Sequence, residues 1–313
     1  MRSALTVFRA LGDPTRLRIL ALVARMELAV GELAEVLGQS QPRVSRHIKI
    51  LAEAGLIERA KEGAWVFLRA SHEPHAAPLC ALMTALKPDG AALERDLARL
   101  TDVRSERQAA AQAWFAAHAA EWDGLRSLHT AESEVETAIL AALGARPVGR
   151  LVDIGTGTGR MIELLGAHSS SAIGIDRSPE MLRLARVKIA AIGGAEVRQG
   201  DMAALPLADG AADTVVLHQV LHFAADPARA LAEAARVLAP GGRLLVIDFA
   251  PHAREELRST QGHARLGFAD ETVIGWLRGC GLNAAVAGRL AGPELTVTLW
   301  LGERPADALR IAA

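Results

Sequence analysis

At 313 residues, half of them hydrophobic, the chain has room for two domains, each with a core of its own. Cys80 and Cys280 are its only cysteines, which excludes a disulfide framework or a cysteine-built zinc motif and suits a reducing, cytoplasmic setting. Arg9, Asp13, Arg16 and Arg18 interrupt the first apolar residues, so no secretory pattern is expected, and no uncharged apolar run is long enough to cross a bilayer. Aromatic residues make up 4%, which disfavours nucleic-acid binding by base stacking and leaves groove reading as the open route.

The first seventy residues read as short helices followed by a basic hairpin. Asp13 is an N-cap, Pro14 takes the first helical position, and Leu17, Ile19 and Leu20 follow at helical spacing. A second helix runs from Val30 to Leu37 and is closed by Gly38. After Gln39 and Ser40 a third helix covers Gln41 to Leu51. It turns Val44, Ile48 and Leu51 inward and leaves Ser40, Gln41, Arg43, Ser45, Arg46, His47 and Lys49 as candidate DNA-contacting residues. From Gly55 to Arg69, apolar and charged residues alternate around Gly63, as in a β-hairpin wing that carries Arg59 and Lys61. Residues 1–70 hold 11 Lys and Arg against 7 Asp and Glu, a net of +4 in a chain whose total is −1. The positive charge is concentrated where phosphate would be met.

The run L-G-D-P-T-R-L-R-I-L, followed by R-V-S-R-H-I-K-I-L-A-E-A-G-L-I, resembles the ArsR-type winged-helix repressors over most of residues 5–70. That resemblance implies a homodimer on a palindromic double-stranded operator, with two recognition helices about one turn of DNA apart. Metal-responsive members carry paired cysteines before the recognition helix. Ala29 and Gly31 stand at those positions here and cannot ligate a soft metal, so no metal site is expected.

His72 to Pro78 marks a break, and a short apolar helix over Leu79–Leu86 ends at Lys87-Pro88-Asp89-Gly90. Ala91 to His118 is a long helical stretch that either packs on a second subunit or acts as a spacer. Trp122 and His129 follow as candidates for a lid, with helix-core roles the alternative.

Leu151 to Ile154 reads as a buried strand running into Gly155-Thr-Gly157-Thr-Gly159 and then a helix from Arg160 to Leu165. Glycine at alternate positions lets the backbone pass close under a ligand while the helix points its free N–H groups at the same place. The spacing is G-x-G-x-G, with Asp153 two residues ahead, and not the G-x-x-G ending of a dinucleotide fingerprint. A second strand ends in Asp176, 21 residues beyond Gly155, where a carboxylate can accept from ribose hydroxyls. Gly200-Asp201-Met202 follows a third strand over Glu196–Gln199. Ala212 to His222 reads as a fourth strand with polar residues at its end, Ala228–Leu238 as a helix, and Arg243 to Asp248 as a fifth buried strand. Asn283–Gly288 and Glu294–Leu301 are expected to pair antiparallel.

Taken in order, these motifs resemble the class I S-adenosylmethionine (SAM)-dependent methyltransferases of the ubiquinone and menaquinone type over roughly residues 110–302. The resemblance implies SAM or S-adenosylhomocysteine (SAH) held by Asp153, Gly155, Gly157, Gly159, Asp176, Arg177, Met181, Asp201, Met202 and His218. Asp201 and the Met202 N–H would meet the adenine. Core packing is the alternative for Met181, and turn capping for Asp153 and Asp213. His218, His222 and His252 are the available bases near the strand ends. His218 and His222 are spaced for a metal pair but lack an evident third ligand.

The expected fold is therefore two-domain: an N-terminal α+β winged helix-turn-helix over 1–72, a helical linker and possible dimerisation segment over 73–109, a C-terminal α/β Rossmann-like domain with a mostly parallel seven-stranded sheet over 110–302, and a tail over 303–313. The functional expectation is a DNA-binding transcriptional repressor whose second domain binds SAM or SAH as effector. The alternative is an active methyltransferase on a small-molecule acceptor with an attached DNA-binding domain. Base methylation of DNA is disfavoured, because no Asn/Asp-Pro-Pro-Tyr or Pro-Cys motif is present and the chain has no tyrosine.

Overall fold

The computed structural model describes residues 4–62, 65–71, 75–86, 90–118 and 131–306. Trp122, His129, the wing tip at Gly63 and residues 307–313 lie outside them. The chain divides into two compact units, Met1–Gln108 and Ala109–Ala313.

In the amino-terminal unit α1 (Ala4–Leu11) and α2 (Pro14–Val23) are followed by β1 (Leu28–Ala29), α3 (Val30–Leu37), α4 (Gln41–Glu53), β2 (Ile57–Glu62) and β3 (Trp65–Ala70). The Asp13 carboxylate accepts from the Arg16 N–H, so α2 starts where the capping chemistry requires. Gly38 ends α3 in the left-handed region at φ +62°. β2 and β3 form an antiparallel hairpin, and β1 pairs with the far side of β3. α5 (Ala76–Leu86) and α6 (Gly90–His118), expected as a linker, give Cys80, Met83, Leu100 and Val103 to the same core as Ile19, Leu22, Val44 and Ile48. Arg18 of α2 donates both arms to Asp96 of α6 at 2.6 and 2.7 Å, and Asp96 is fully enclosed. A bidentate pair of this kind fixes the rotation of one helix against the other.

The carboxy-terminal unit begins with α7 (Glu132–Leu143) and continues through β4 (Gly149–Ile154), α8 (Arg160–Leu165), β5 (Ser169–Asp176), α9 (Pro179–Ile189), β6 (Ala195–Gln199), β7 (Ala212–His218), α10 (Pro227–Val237) and β8 (Leu238–Phe249). It closes with α11 (Glu256–Thr260), α12 (Asp270–Gly279), β9 (Asn283–Ala291) and β10 (Thr296–Glu303). The seven strands lie in the order β6-β5-β4-β7-β8-β10-β9. β4 to β8 are parallel, and β10 is inserted antiparallel between β8 and β9. Val215, Val216 and Leu217 on β7 and Leu244 to Ile247 on β8 are wholly buried, as helices on both faces require. The order in which successive strands are added to the sheet reverses between the parallel neighbours β4 and β7, so the carboxyl ends of those two strands open the kind of crevice in which α/β sheets receive ligands.

Two arginines brace the opposite end. Arg243 is buried and donates to the carbonyls of Leu143, Arg146 and Pro147, which satisfies the end of α7. Arg150 forks onto Asp213 at 2.9 and 2.7 Å, and its backbone N–H donates to the same carboxylate, giving Asp213 the structural role weighed for it. Hydrogen bonding from Arg150 holds the Asp213 carboxyl below its ordinary value. Its folded-state value is thus depressed, and the associated stability is present above the unfolded value of about 3.9 and fades as pH falls below it. Both side chains are more than two-fifths exposed, so Asp213→Asn is expected to cost less than about 1 kcal/mol at pH 7. Denaturant unfolding at pH 7 and pH 3 checks this: the gap between wild type and variant should narrow at the lower pH.

Candidate functional site

The turn after β4 is held from below by its own strand neighbours. The N–H groups of Gly155 and Thr156 both donate to the Ile175 carbonyl on β5, at 2.7 and 3.0 Å. The Thr156 hydroxyl donates to the buried Asp153 carboxylate at 2.6 Å, so Asp153 fixes the turn from inside. Gly155, Gly157 and Gly159 all have positive φ, at 69°, 53° and 90°. A β carbon at Gly155 would lie 2.2 Å from Val220 Cγ2, so the turn fits only glycine there.

Asp176, at the end of β5, accepts from the N–H of Gly157 and that of Ser178, each at 2.8 Å. Burial raises its carboxyl, while the N–H groups of Ser178, Gly157 and Arg177 pull it back down. Ser178 caps α9 by accepting from the Met181 N–H, and the Met181 side chain is buried. Arg177 is exposed, and its carbonyl accepts from Gln199. After β6, the Gly200 N–H donates to the Asp176 carbonyl, which ties the third crossover to the second. Asp201 accepts from the Ala203 N–H, and Met202 is half-buried and packs against the core cluster that includes Val152, Ile154 and Ile175. The structure thus gathers Asp153, the three glycines, Asp176, Arg177 and the Asp201-Met202 step around the carboxyl ends of β4, β5 and β6.

The three histidines do not share one environment. His218 closes β7 and is buried. His222 lies beyond the strand, in a short 3₁₀ turn over Leu221–Phe223. The strand expected to continue to His222 stops earlier because Gln219 takes a positive φ of 49°, with its N–H donating to the Ile247 carbonyl. His222 Nδ1 sits 2.7 Å from Asp248 Oδ1. His252 is half-buried, and its Nδ1 accepts from the Arg254 N–H. Asp248 and His263 were not singled out from sequence. The available signal was the acidic residue that closes the apolar run Leu244–Ile247.

In the amino-terminal unit Val44, Ile48 and Leu51 of α4 are buried, while Ser40, Gln41, Arg43, Ser45, Arg46 and Lys49 are exposed. Arg59 and Lys61 are exposed on β2. His47 differs from these. It is half-buried, with Nδ1 3.6 Å from the Asp13 carboxylate at the cap of α2, and desolvation lowers its titration point.

Residues 13–59 match the family described as bacterial regulatory protein, arsR family, and residues 152–246 match the methyltransferase domain family. The chain carries an ArsR-family helix-turn-helix domain and a class I SAM-dependent methyltransferase domain. The ArsR-family domain is 46% identical over 70 residues to the arsenical resistance operon repressor of Escherichia coli, covering 22% of this chain and 58% of the repressor. The methyltransferase domain is 44% identical over 106 residues to demethylmenaquinone methyltransferase of Thermus thermophilus, covering 33% of this chain and 48% of that enzyme. An uncharacterized 37.1 kDa protein in transposon TN4556 of Streptomyces fradiae is 44% identical over 114 residues, 36% of this chain and 33% of that protein. The chain thus spans between a third and three-fifths of the length of these curated relatives. Among solved structures, the YcgJ protein of Bacillus subtilis shares the fold, with a TM-score of 0.50 at 17% identity, covering 56% of this chain and 99% of YcgJ. The methyltransferase domain implies SAM or SAH as ligand, and the turn with glycine at alternate positions, closed to any β carbon at Gly155, fits such a nucleoside. Among the described residues no helix is long and apolar enough to cross a membrane.

Proposed function

We propose that this chain is a DNA-binding transcriptional repressor, cytoplasmic and dimeric on its operator, whose carboxy-terminal domain binds SAM or SAH as effector. One observation carries the reading: a recognition helix with an exposed basic face and a glycine cradle backed by Asp176 stand in a single chain. Gly155, Gly157, Gly159 and Asp176 would hold the nucleoside, with Asp201 and Met202 toward the base. Such a ligand regulates only if the DNA-competent and incompetent states bind it with different affinity. A coupling of about 1 to 3 kcal/mol would change operator affinity roughly 5- to 150-fold. Operator binding measured with SAM, with SAH and with neither is expected to differ in that range. Identical curves would sink the effector role.

A second reading is supported by the contact between His222 and Asp248. It is an active methyltransferase on a small-molecule acceptor, tethered to DNA by the first domain. SAM, when bound, supplies a methyl group activated by its sulfonium. The protein's part is then to align the acceptor and, where the acceptor must lose a proton, to provide a base.

A further inference from the structure

Among its described residues, the carboxy-terminal unit engages its arginines almost throughout. From Arg146 to Arg304 their guanidinium groups donate to carboxylates or backbone carbonyls, and that of Arg265 lies over the Phe268 ring. Three stand apart. Arg177, Arg183 and Arg186 are exposed, and their side chains make no hydrogen bond or ion pair among the described residues. All three belong to one helix or its approach. Arg177 precedes the Ser178 cap of α9, and Arg183 and Arg186 are three residues apart on it, a spacing that puts both on one helix face. Val187 shares that face and is 76% exposed, so the face is open. Glu180 is the one acid of the helix, and its carboxylate accepts from the Ser178 hydroxyl at 2.8 Å. Residues 177–188 hold 4 Lys and Arg against 1 Glu, a net of +3, although the chain beyond residue 70 totals −5, the difference between −1 and +4.

We infer that this face of α9 is a second DNA-contacting surface, on which Arg183 and Arg186, with Arg177 beside the helix cap, meet the phosphate backbone of duplex flanking the operator. The inference rests on the DNA-binding reading above and extends it to the unit that would hold the nucleoside. A guanidinium fork matches phosphate geometry, and contacts of this kind carry affinity without reading sequence. Three cations are too few to hold a duplex by themselves. They act in a chain whose amino-terminal domain grips the same polymer, so the second contact is intramolecular and its effective concentration is set by the chain between the two units. An acidic protein surface is the other polyanion such a face fits. Nothing ties one to this chain, whereas the arsR-family domain ties DNA to it. Each phosphate contact releases condensed counterions and is therefore read as salt dependence.

The test uses the full chain and two mixed-sequence duplexes, one of about two helical turns and one of about six, with affinity measured over a range of salt. The shorter has room for the recognition helices alone, and the longer adds flanks. Wild type is expected to show the steeper slope of log affinity against log salt on the longer duplex, by about 0.9 for each added phosphate contact. Arg183→Ala with Arg186→Ala should remove that extra slope and weaken binding of the longer duplex roughly tenfold at low salt. Affinity for the shorter duplex, and for SAM by calorimetry, should stay as in wild type. Arg183→Lys with Arg186→Lys keeps the charge and should retain most of the slope. The control is Arg146→Ala with Arg289→Ala, which removes the same charge from two exposed, ion-paired arginines and should alter binding of neither duplex. Equal slopes on the two duplexes in wild type, or unweakened binding of the longer one after Arg183→Ala with Arg186→Ala, would overturn the inference and leave the face to an acidic protein. An equal loss in the control, or a loss without change of slope, would overturn it too. Wild type bound to neither duplex would instead bring down the DNA-binding reading, and this one with it.

Discussion

Gly155→Ala is expected to abolish measurable binding of SAM and SAH. The residue sits at φ +69°, and its new β carbon would lie 2.2, 2.8 and 2.9 Å from three carbons of Val220, a side chain buried in the main core cluster. Holding alanine in the left-handed region costs on the order of 1 to 2 kcal/mol. Moving Val220 disturbs a close-packed layer in addition. The turn is fixed by N–H groups donating to Ile175, so the least resistant response is a shift of the loop away from the ligand's path. We expect at least a ~100-fold loss of affinity by calorimetry, equivalent to about 2.7 kcal/mol, with operator binding by the amino-terminal unit retained. Gly193→Ala is the control, because a β carbon there meets nothing within 4 Å. Wild-type affinity in Gly155→Ala would move the ligand site elsewhere.

Replacing Arg43 and Arg46 together by alanine should weaken DNA binding roughly tenfold or more across all sequences, through lost phosphate contacts. Both side chains are exposed on α4, and neither belongs to its buried face of Val44, Ile48 and Leu51, so folding should be untouched. The signature is the salt dependence. The slope of log affinity against log salt should shallow by about 0.9 for each phosphate contact removed. Binding of SAM should be unchanged. Loss of affinity with an unaltered salt slope would mean that these arginines do not meet phosphate.

The parts of this molecule that read cleanly from sequence are those governed by local chemistry. The cap at Asp13, the burial of Val44, Ile48 and Leu51, and the strand, glycine turn and helix from Leu151 to Leu165 all follow from spacing and residue type alone. What sequence does not show is set by partners distant in the chain. His222 and Asp248 are 26 residues apart and meet only because β7 and β8 are parallel neighbours. α12 is not among the helices expected from sequence, although Asp270 and Glu271 stand in its first turn and Arg278 in its last, and Asp270 accepts from the indole of Trp300, wholly buried on β10, 30 residues later. His47 looks like a groove residue by its helix position, yet α2 offers it a carboxylate. The run Ala212–His222 has the apolar content of one long strand, and only the backbone at Gln219 breaks it.

Gln219 is the one described residue other than glycine with a positive φ, and its side chain is buried. Such a conformation sacrifices on the order of 1 kcal/mol of folding free energy, which a glycine would recover. Glycine would also give the following turn more freedom at the point where His222 takes its bearing from Asp248. Relief of the backbone and a fixed link from β7 to Asp248 are therefore opposed at this position.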